Sequence, residues 1–393
     1  VREVYIVSAV RSAVAVGKPG GALSAVPPLD LVAPVLREAV VRAGLAPETV
    51  EDVILGCVSP IGEQGGNIGR LAALKAGFPV EAPGVVLNRM CGSSQQAVHF
   101  AAQAIAAGDM EVVVAGGIES MSRVPLGSDW PREWPQDFPY PLVHQGISAE
   151  MVAERWGLGR AALDDFAFES HRRAAAATRA GRFDREILPL SVPAPVAAAA
   201  GNGAGEAAPP TVTFAQDEGI RFNADRERMG ALKPAFKPDG VITAGNASQV
   251  SDGAAALVLA SEDAVARHGL KPRARLRARV VVGSDPVLML TGPIPATQKA
   301  LARAGLRVDE IDVFEINEAF APVVLAWQRE IGADPARVNP NGGAIALGHP
   351  LGATGARLMT SLLHELERTG GRYGLQTMCI GHGMATATVI ERL

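Results

Sequence analysis

Only three cysteines occur in 393 residues, Cys57, Cys91 and Cys379, and they lie far apart. They cannot form a disulfide framework, and without a Cys-x-x-Cys pair they do not suggest zinc, so no metal is expected. Thiols that remain thiols point to a reducing compartment, and the expected location is the cytoplasm. No apolar run approaches the roughly 20 residues that a membrane span requires. The opening residues, VREVYIVSAVRS, place charges before a short alternating strand and offer no signal-peptide core or cleavage site. A surplus of either charge is also missing: 37 Lys and Arg stand against 41 Asp and Glu, a net charge of −4 scattered along the chain. Neither nucleic acid nor a membrane surface is an expected partner. What is present is a globular composition, 48% hydrophobic and 20% charged, with length for two or three domains and a large core.

Strand and helix patterns alternate in the first third. Val4–Ala9 reads as a strand, Leu29–Ala43 as a helix stopped by Gly44, and Val50–Leu55 as a second strand. Asn67–Ala76 reads as a further helix, and Glu111–Ala115 as a buried parallel strand. This alternation indicates a layered α/β architecture. The character then changes. Met121–Pro141 is rich in proline and carries Trp130, Trp134, Phe138 and Tyr140, an apolar patch suited to subunit contacts or to covering a substrate entrance. A helical section follows from Ser148 to Gly181, and the Ala/Gly/Pro-rich stretch Val192–Pro210 reads as a mobile surface loop.

The last third repeats the first. Ala43-Gly44-Leu45, an acidic segment and Val53-Ile54-Leu55 correspond to Ala304-Gly305-Leu306, Asp309–Asp312 and Val313-Phe314. In each copy a Gly-rich turn then leads into a long helix, from Cys91-Gly92-Ser93-Ser94 in one and through Gly348-His349-Pro350 to Ala353–Glu367 in the other. The expected organisation is a first α/β half at 1–118 plus 246–270, an inserted loop domain at 119–245, and a second α/β half at 271–393.

Cys91 sits where an apolar run ends and a helical pattern begins, with Ala97, Phe100, Ala101, Ala104 and Ile105 spaced by three and four and Gly108 at the stop. A thiol at a helix start meets exposed backbone N–H groups and the helix dipole, which favour a thiolate. Its alternative is a small buried hydrophobe. The second half supplies three polar clusters after strand-like runs: Asn317-Glu318-Ala319-Phe320, Gly348-His349-Pro350, and Cys379-Ile380-Gly381-His382-Gly383. Ligands in open α/β sheets gather at the carboxyl ends of strands. Two thiols, a histidine and an asparagine at such ends of a duplicated unit point to one site.

Nearly end to end, the chain resembles the thiolases, the acetyl-CoA acyltransferase family. The motifs that carry the likeness are Asn88–Ser93, Gly116–Ser122, Thr243–Ser248, Asn317–Phe320, Asn339–Gly352 and Cys379–Gly381. The resemblance implies a duplicated αβαβα fold and a thiolytic cleavage of 3-ketoacyl-CoA, or the reverse Claisen condensation, through an acyl-cysteine. It makes Cys91 the nucleophile, His349 its base, and Cys379 the acid/base at the substrate α-carbon. One oxyanion would be held by His349 and a water on Asn317, the other by the backbone N–H groups of Cys91 and Gly381.

The same resemblance sets Ser248 and Ala247 near the pantetheine arm of coenzyme A, Arg221 near the adenine, His144 and Gln145 around the acyl group, and Phe320 in the pantetheine tunnel wall. Coenzyme A and acyl-CoA enter as substrates, no permanently bound cofactor is implied, and a homodimer or homotetramer is expected. Two departures from the family pattern stand out. His382 replaces a small residue, where it could narrow the pocket, tune Cys379 or point outward, the last being favoured. Gln145 replaces the methionine of short-chain enzymes, which together with Gln95-Gln96 leans toward larger 3-ketoacyl groups. A decarboxylating ketoacyl synthase would not need Cys379, and a silent acyl-CoA or sterol carrier would not need two thiols.

Overall fold

The computed structural model describes residues 2–194 and 210–393. Its principal strands, in chain order, are β1 (Val4–Ser12), β2 (Asp52–Gly56), β3 (Gly84–Leu87), β4 (Val112–Ser120), β5 (Ser251–Ser261), β6 (Ala274–Gly283), β7 (Val313–Ile316), β8 (Tyr373–Ile380) and β9 (Met384–Arg392). They form one mixed sheet in the order β7-β8-β9-β6-β1-β5-β4-β2-β3. The halves meet through a short antiparallel pairing of Tyr5 and Ile6 in β1 with Arg275 and Ala274 in β6. Strands β4 and β5 pair along their full shared length, from Val112↔Ala260 to Ser120↔Asp252, so the two ends of the long excursion between them are held side by side.

The principal helices are α1 (Pro28–Ala43), α2 (Ile68–Lys75), α3 (Ser93–Ala107), α4 (Gln145–Arg155), α5 (Arg160–Arg179), α6 (Pro293–Ala304), α7 (Ala321–Ile331) and α8 (Leu351–Thr369). Helices α1 and α2 cover the outer face of the first half through Leu31, Val35, Leu36 and Ala72. Helices α6 and α7 cover the outer face of the second half through Ala296, Ala300, Val324 and Trp327. Between the halves lie α3 and α8, whose Ala97, Ala101, Ile105, Ala356, Met359 and Leu363 share one core with Val113 and Leu257 of the first half and Val313 and Ile390 of the second. The two halves of this sheet form two layers with helices outside and between them, the αβαβα layering that the resemblance implies.

Small residues let the central layer close. A Cβ at Gly117 in β4 would collide with the carbonyl oxygen of Gly352 in α8, and one at Gly355 with the backbone nitrogen of Gln95 in α3. The chain needs glycine there so that the helices carrying the site residues can touch both the sheet and each other.

Several expectations are corrected. Phe100, in the expected apolar stripe of α3, is 43% exposed. The buried face of α3 is instead wide and partly polar, with Gln95, Gln96 and His99 inside, because both Gln95 and His99 find hydrogen-bond partners on Thr388. The helical section 148–181 breaks into α4 and α5 at Gly157–Gly159, where Gly157 takes φ +59°. The loop expected at 192–210 lies mostly outside the described residues. At its flanks, Leu190–Pro193 pairs with Thr211–Phe214 as a two-stranded ribbon, so Val192 and Pro193 belong to a strand.

Candidate active site

The loop after β3 is built to present Cys91. Asn88 Oδ1 accepts from the Met90 N–H at 2.7 Å, and Ser93 Oγ accepts from the Arg89 N–H at 2.9 Å. Met90 takes a left-handed φ of +47°, a conformation that a non-glycine residue adopts only where its surroundings require it. Cys91 therefore stands two residues ahead of α3, almost fully buried beside Met378 and Ile380 of β8. Its sulfur faces the backbone N–H groups of Gly381 and of Cys91 itself, and the side chain of Gln145. These donors favour a thiolate, but burial outweighs them and pushes the thiol up to about 11. The sequence argument from the helix start is thus overturned by desolvation: at neutral pH Cys91 is a thiol.

Cys379, one residue before the end of β8, has no solvent exposure; burial raises its thiol, and the neighbouring Cys91 raises it further. His349 lies in the turn between the short helix Ala344–Leu347 and α8. Its backbone N–H donates to Ser251 Oγ at 3.0 Å and to the Gln249 carbonyl at 3.1 Å. Thr354 Oγ1 donates to the Pro350 carbonyl at 2.8 Å, so it accepts from His349 Nδ1–H at 2.6 Å. That leaves Nε2 unprotonated, accepting from Asn317 Nδ2 at 3.3 Å. Burial, and secondarily the charge of Arg357, pushes the imidazole down to about 3. Both members of the Cys91–His349 set are neutral at rest.

Asn317 follows β7, and its Oδ1 is buried with no partner among the described residues. Behind it, Glu318 accepts from Ser170 Oγ at 2.6 Å, from Asn339 Nδ2 at 3.0 Å and from the Ile345 N–H at 3.2 Å. Glu119 at the end of β4 does the same on the other side. It accepts from the N–H groups of Val58 (2.8 Å), Ser59 (3.2 Å) and Gly352 (2.9 Å), and from Gln64 Nε2 (2.9 Å). One buried carboxylate thereby ties the first half to the start of α8, next to His349. Glu119 and Glu318 lie inside the motifs Gly116–Ser122 and Asn317–Phe320, yet nothing local marks their clamping role, and the only sequence signal for Thr354 is a hydroxyl five residues after a histidine at a helix start.

Cys91, His349 and Gly381 open onto a cavity of about 470 Å³ that is also lined by Ala247, Ser248, Phe320, His144 and Gln145. Phe320 packs edge-on against Phe236 at 5.9 Å between ring centroids, and His144 caps α4 by accepting from the Gly146 N–H at 3.1 Å. Arg221 is not among these residues. It lines an adjoining cavity of about 500 Å³ with His171, Asn223 and Arg228, and Gln249 faces both cavities. His382 is exposed, as favoured from the sequence, yet it also faces the first cavity, edge-on to Trp134 at 6.0 Å. Among the described residues no group of three or more His, Cys, Asp or Glu is placed to hold a metal, and no helix is long and apolar enough to cross a membrane.

The thiolase N-terminal domain family matches residues 4–263, and the thiolase C-terminal domain family matches residues 270–392. The chain belongs to the thiolase family. A steroid 3-ketoacyl-CoA thiolase of Mycobacterium tuberculosis is 50% identical to this thiolase, over 100% of this chain and 94% of the relative. A 3-oxoadipyl-CoA/3-oxo-5,6-dehydrosuberyl-CoA thiolase of Escherichia coli is 45% identical over the whole of both chains. Among solved structures, the acetyl-CoA acetyltransferase of Bacillus anthracis superposes with a TM-score of 0.89 at 39% identity, covering 100% of this chain and 99% of the other. As a thiolase the chain is an acyltransferase acting on CoA thioesters, by thiolytic cleavage or by the reverse condensation.

Proposed function

We propose that this thiolase cleaves 3-ketoacyl-CoA esters larger than acetoacetyl-CoA, and runs the reverse condensation, through an acyl group carried on Cys91. The observation that supports this most directly is the convergence of Cys91 with the Gly381 N–H, the unprotonated Nε2 of His349 and a second buried thiol, Cys379.

Because both partners rest neutral, the Cys91 proton moves to His349 Nε2 as the sulfur attacks C3 of the substrate. The oxyanion on C3 lies between the N–H groups of Cys91 and Gly381. A donor of this kind contributes about 3 kcal/mol in the transition state. Collapse breaks the C2–C3 bond, and the departing enolate takes a proton at C2 from Cys379, giving acetyl-CoA. His349, now carrying a proton on Nε2, and a water held by Asn317 Oδ1 stabilise the enolate oxygen. Free CoA then loses its thiol proton to Cys379 and attacks the acyl-Cys91 carbonyl. The shortened acyl-CoA leaves, and Cys91 recovers its proton from His349. Cys91 regains the proton it lent to His349, and the CoA thiol proton replaces the one Cys379 gave to C2, so the protons balance and the cycle calls for no resident cofactor.

Ser248, Ala247 and Phe320 line the arm of the cavity suited to pantetheine, and Arg221, expected near the adenine, lines the adjoining cavity with Arg228, which suits the nucleotide end of coenzyme A. Self-association as a homodimer is supported by the sheet edge at β3, where Val85 is 45% exposed. Three free thiols support a reducing, cytoplasmic setting. Mass spectrometry after mixing with acetyl-CoA or a 3-ketoacyl-CoA tests the central claim: an acyl mass on the Cys91 peptide is expected, and label on any other residue overturns the assignment.

A further inference from the structure

The cavity that contains Cys91 has a feature the acyl-transfer chemistry does not use. Beyond the reacting groups it is lined by a cluster of large apolar side chains from one segment, Leu126, Trp130, Trp134 and Phe138, together with His382. Among the described residues no Lys, Arg, Asp or Glu lines this cavity. Trp130 meets Trp134 edge-on, 6.3 Å between centroids at 67°, and Trp134 meets His382 edge-on, 6.0 Å at 61°. The rings thus form corners, with faces at steep angles to one another, rather than a narrow parallel slot.

His382 ties this cluster to the chemistry. It is the residue after Gly381, whose N–H faces the Cys91 sulfur, and it holds a left-handed φ of +62° although it is not glycine. Nothing in the turn itself requires an imidazole there, since glycine would take the same conformation without strain. The side chain is what the strained position presents, and it presents it to Trp134.

We propose that Trp130, Trp134 and His382 make this enzyme selective for 3-ketoacyl-CoA esters whose acyl group is wide, uncharged and ring-bearing, against acetoacetyl-CoA and against esters ending in a second carboxylate. The inference rests on acyl transfer at Cys91 as argued above. A methyl group ends at the reacting carbonyl and never reaches the aromatic corner. A terminal carboxylate would be drawn out of water into walls that offer no cation. A fused hydrocarbon ring covers two ring faces at once, and being rigid it gives up less conformational freedom on binding than a linear chain. Trp130, Trp134 and Phe138 are 46%, 42% and 46% exposed, so the apolar surface to be covered is already in place.

The test compares kcat/KM for thiolysis of acetoacetyl-CoA, linear 3-ketohexadecanoyl-CoA, 3-oxoadipyl-CoA and a 3-ketoacyl-CoA bearing a fused bicyclic hydrocarbon. The bicyclic ester is expected to lead each of the others by at least tenfold. Trp134→Ala and His382→Gly are each expected to lower the ratio of bicyclic to acetoacetyl kcat/KM by at least tenfold, while Trp134→Phe keeps most of it. His382→Gly decides alone if Trp134→Ala does not fold. Equal turnover of 3-oxoadipyl-CoA, a lead by the linear ester, or a ratio unmoved in His382→Gly overturns the inference. In the same preparations, acyl label on Cys91 with no such preference removes this inference alone. Failure to label Cys91 removes it together with the reading beneath it.

Discussion

Thr354 Oγ1 accepts from His349 Nδ1 at 2.6 Å while giving its own proton to the Pro350 carbonyl at 2.8 Å. This pair sets the tautomer that leaves Nε2 able to take a proton from Cys91. Thr354→Val removes the acceptor and leaves a buried Nδ1–H without a partner. Losing such an orienting bond typically costs about tenfold to a hundredfold in activity. That loss is expected in kcat, with KM nearly unchanged, and Thr354→Ser should restore it. Steady-state thiolysis of acetoacetyl-CoA measures both, and a Thr354→Val enzyme with wild-type kcat would refute the tautomer argument.

The protonation states make a second prediction. Cys91 is raised to about 11 and His349 lowered to about 3, so between those values neither carries charge in the free enzyme. A raised thiol keeps its proton to higher pH than a free cysteine, whose titration is centred near about 8.5. The rate of Cys91 alkylation by iodoacetamide should therefore keep climbing from pH 7 to pH 10, roughly tenfold per unit, with no plateau. A rate already level by pH 8 would indicate a resting thiolate–imidazolium pair.

Cys379 divides the reaction in two. Cys379→Ala removes the proton donor at C2 but leaves Cys91, Gly381 and His349 untouched. The variant should still take an acetyl group from acetyl-CoA onto Cys91, yet lose at least a thousandfold in condensation and cleavage, within the usual range for a lost general acid/base of about 10²–10⁴. Intact-mass measurement and the thiolysis assay separate the two steps. Cys91→Ala should lose both.

Gly117 tests how closely the sheet must approach the helix that follows His349. Its Cβ would strike the Gly352 carbonyl oxygen, and since a Cβ is fixed by its own backbone and the oxygen is a backbone atom, neither side can yield by a rotamer change. Gly117→Ala is expected to destabilise by about 1–3 kcal/mol, as overpacking in a core does. It should also lower kcat more than it raises KM, because the displaced turn carries His349. Thermal unfolding together with steady-state kinetics checks this.

Much of this molecule could be read from its sequence. The stops at Gly44 and Gly108 are local signals, and each glycine does take a left-handed φ after its helix, +73° and +90°. The motifs holding Cys91, Asn317, His349 and Cys379 are short and contiguous, so a single chain displays them, and order alone suggested one site. Chain order also carried the duplication, since each copy runs turn, strand, turn and long helix. Phe100 went the other way: its spacing fitted an apolar stripe, but partners on Thr388 drew the polar Gln95 and His99 inside and left Phe100 outside.

Tertiary structure alone decided the chemistry's starting point. The helix start at Cys91 suggested a thiolate, and burial made it a thiol. That outcome depends on how completely β8 and the cavity walls exclude water, which no local pattern encodes. The same holds for the clamp of Glu119 on Gly352 across 233 positions, for Arg221 facing a second cavity, and for His382 meeting Trp134. Sequence determines which groups a chain owns and the backbone shape around each. Desolvation, and the pairing of residues hundreds of positions apart, arise only when the layers close.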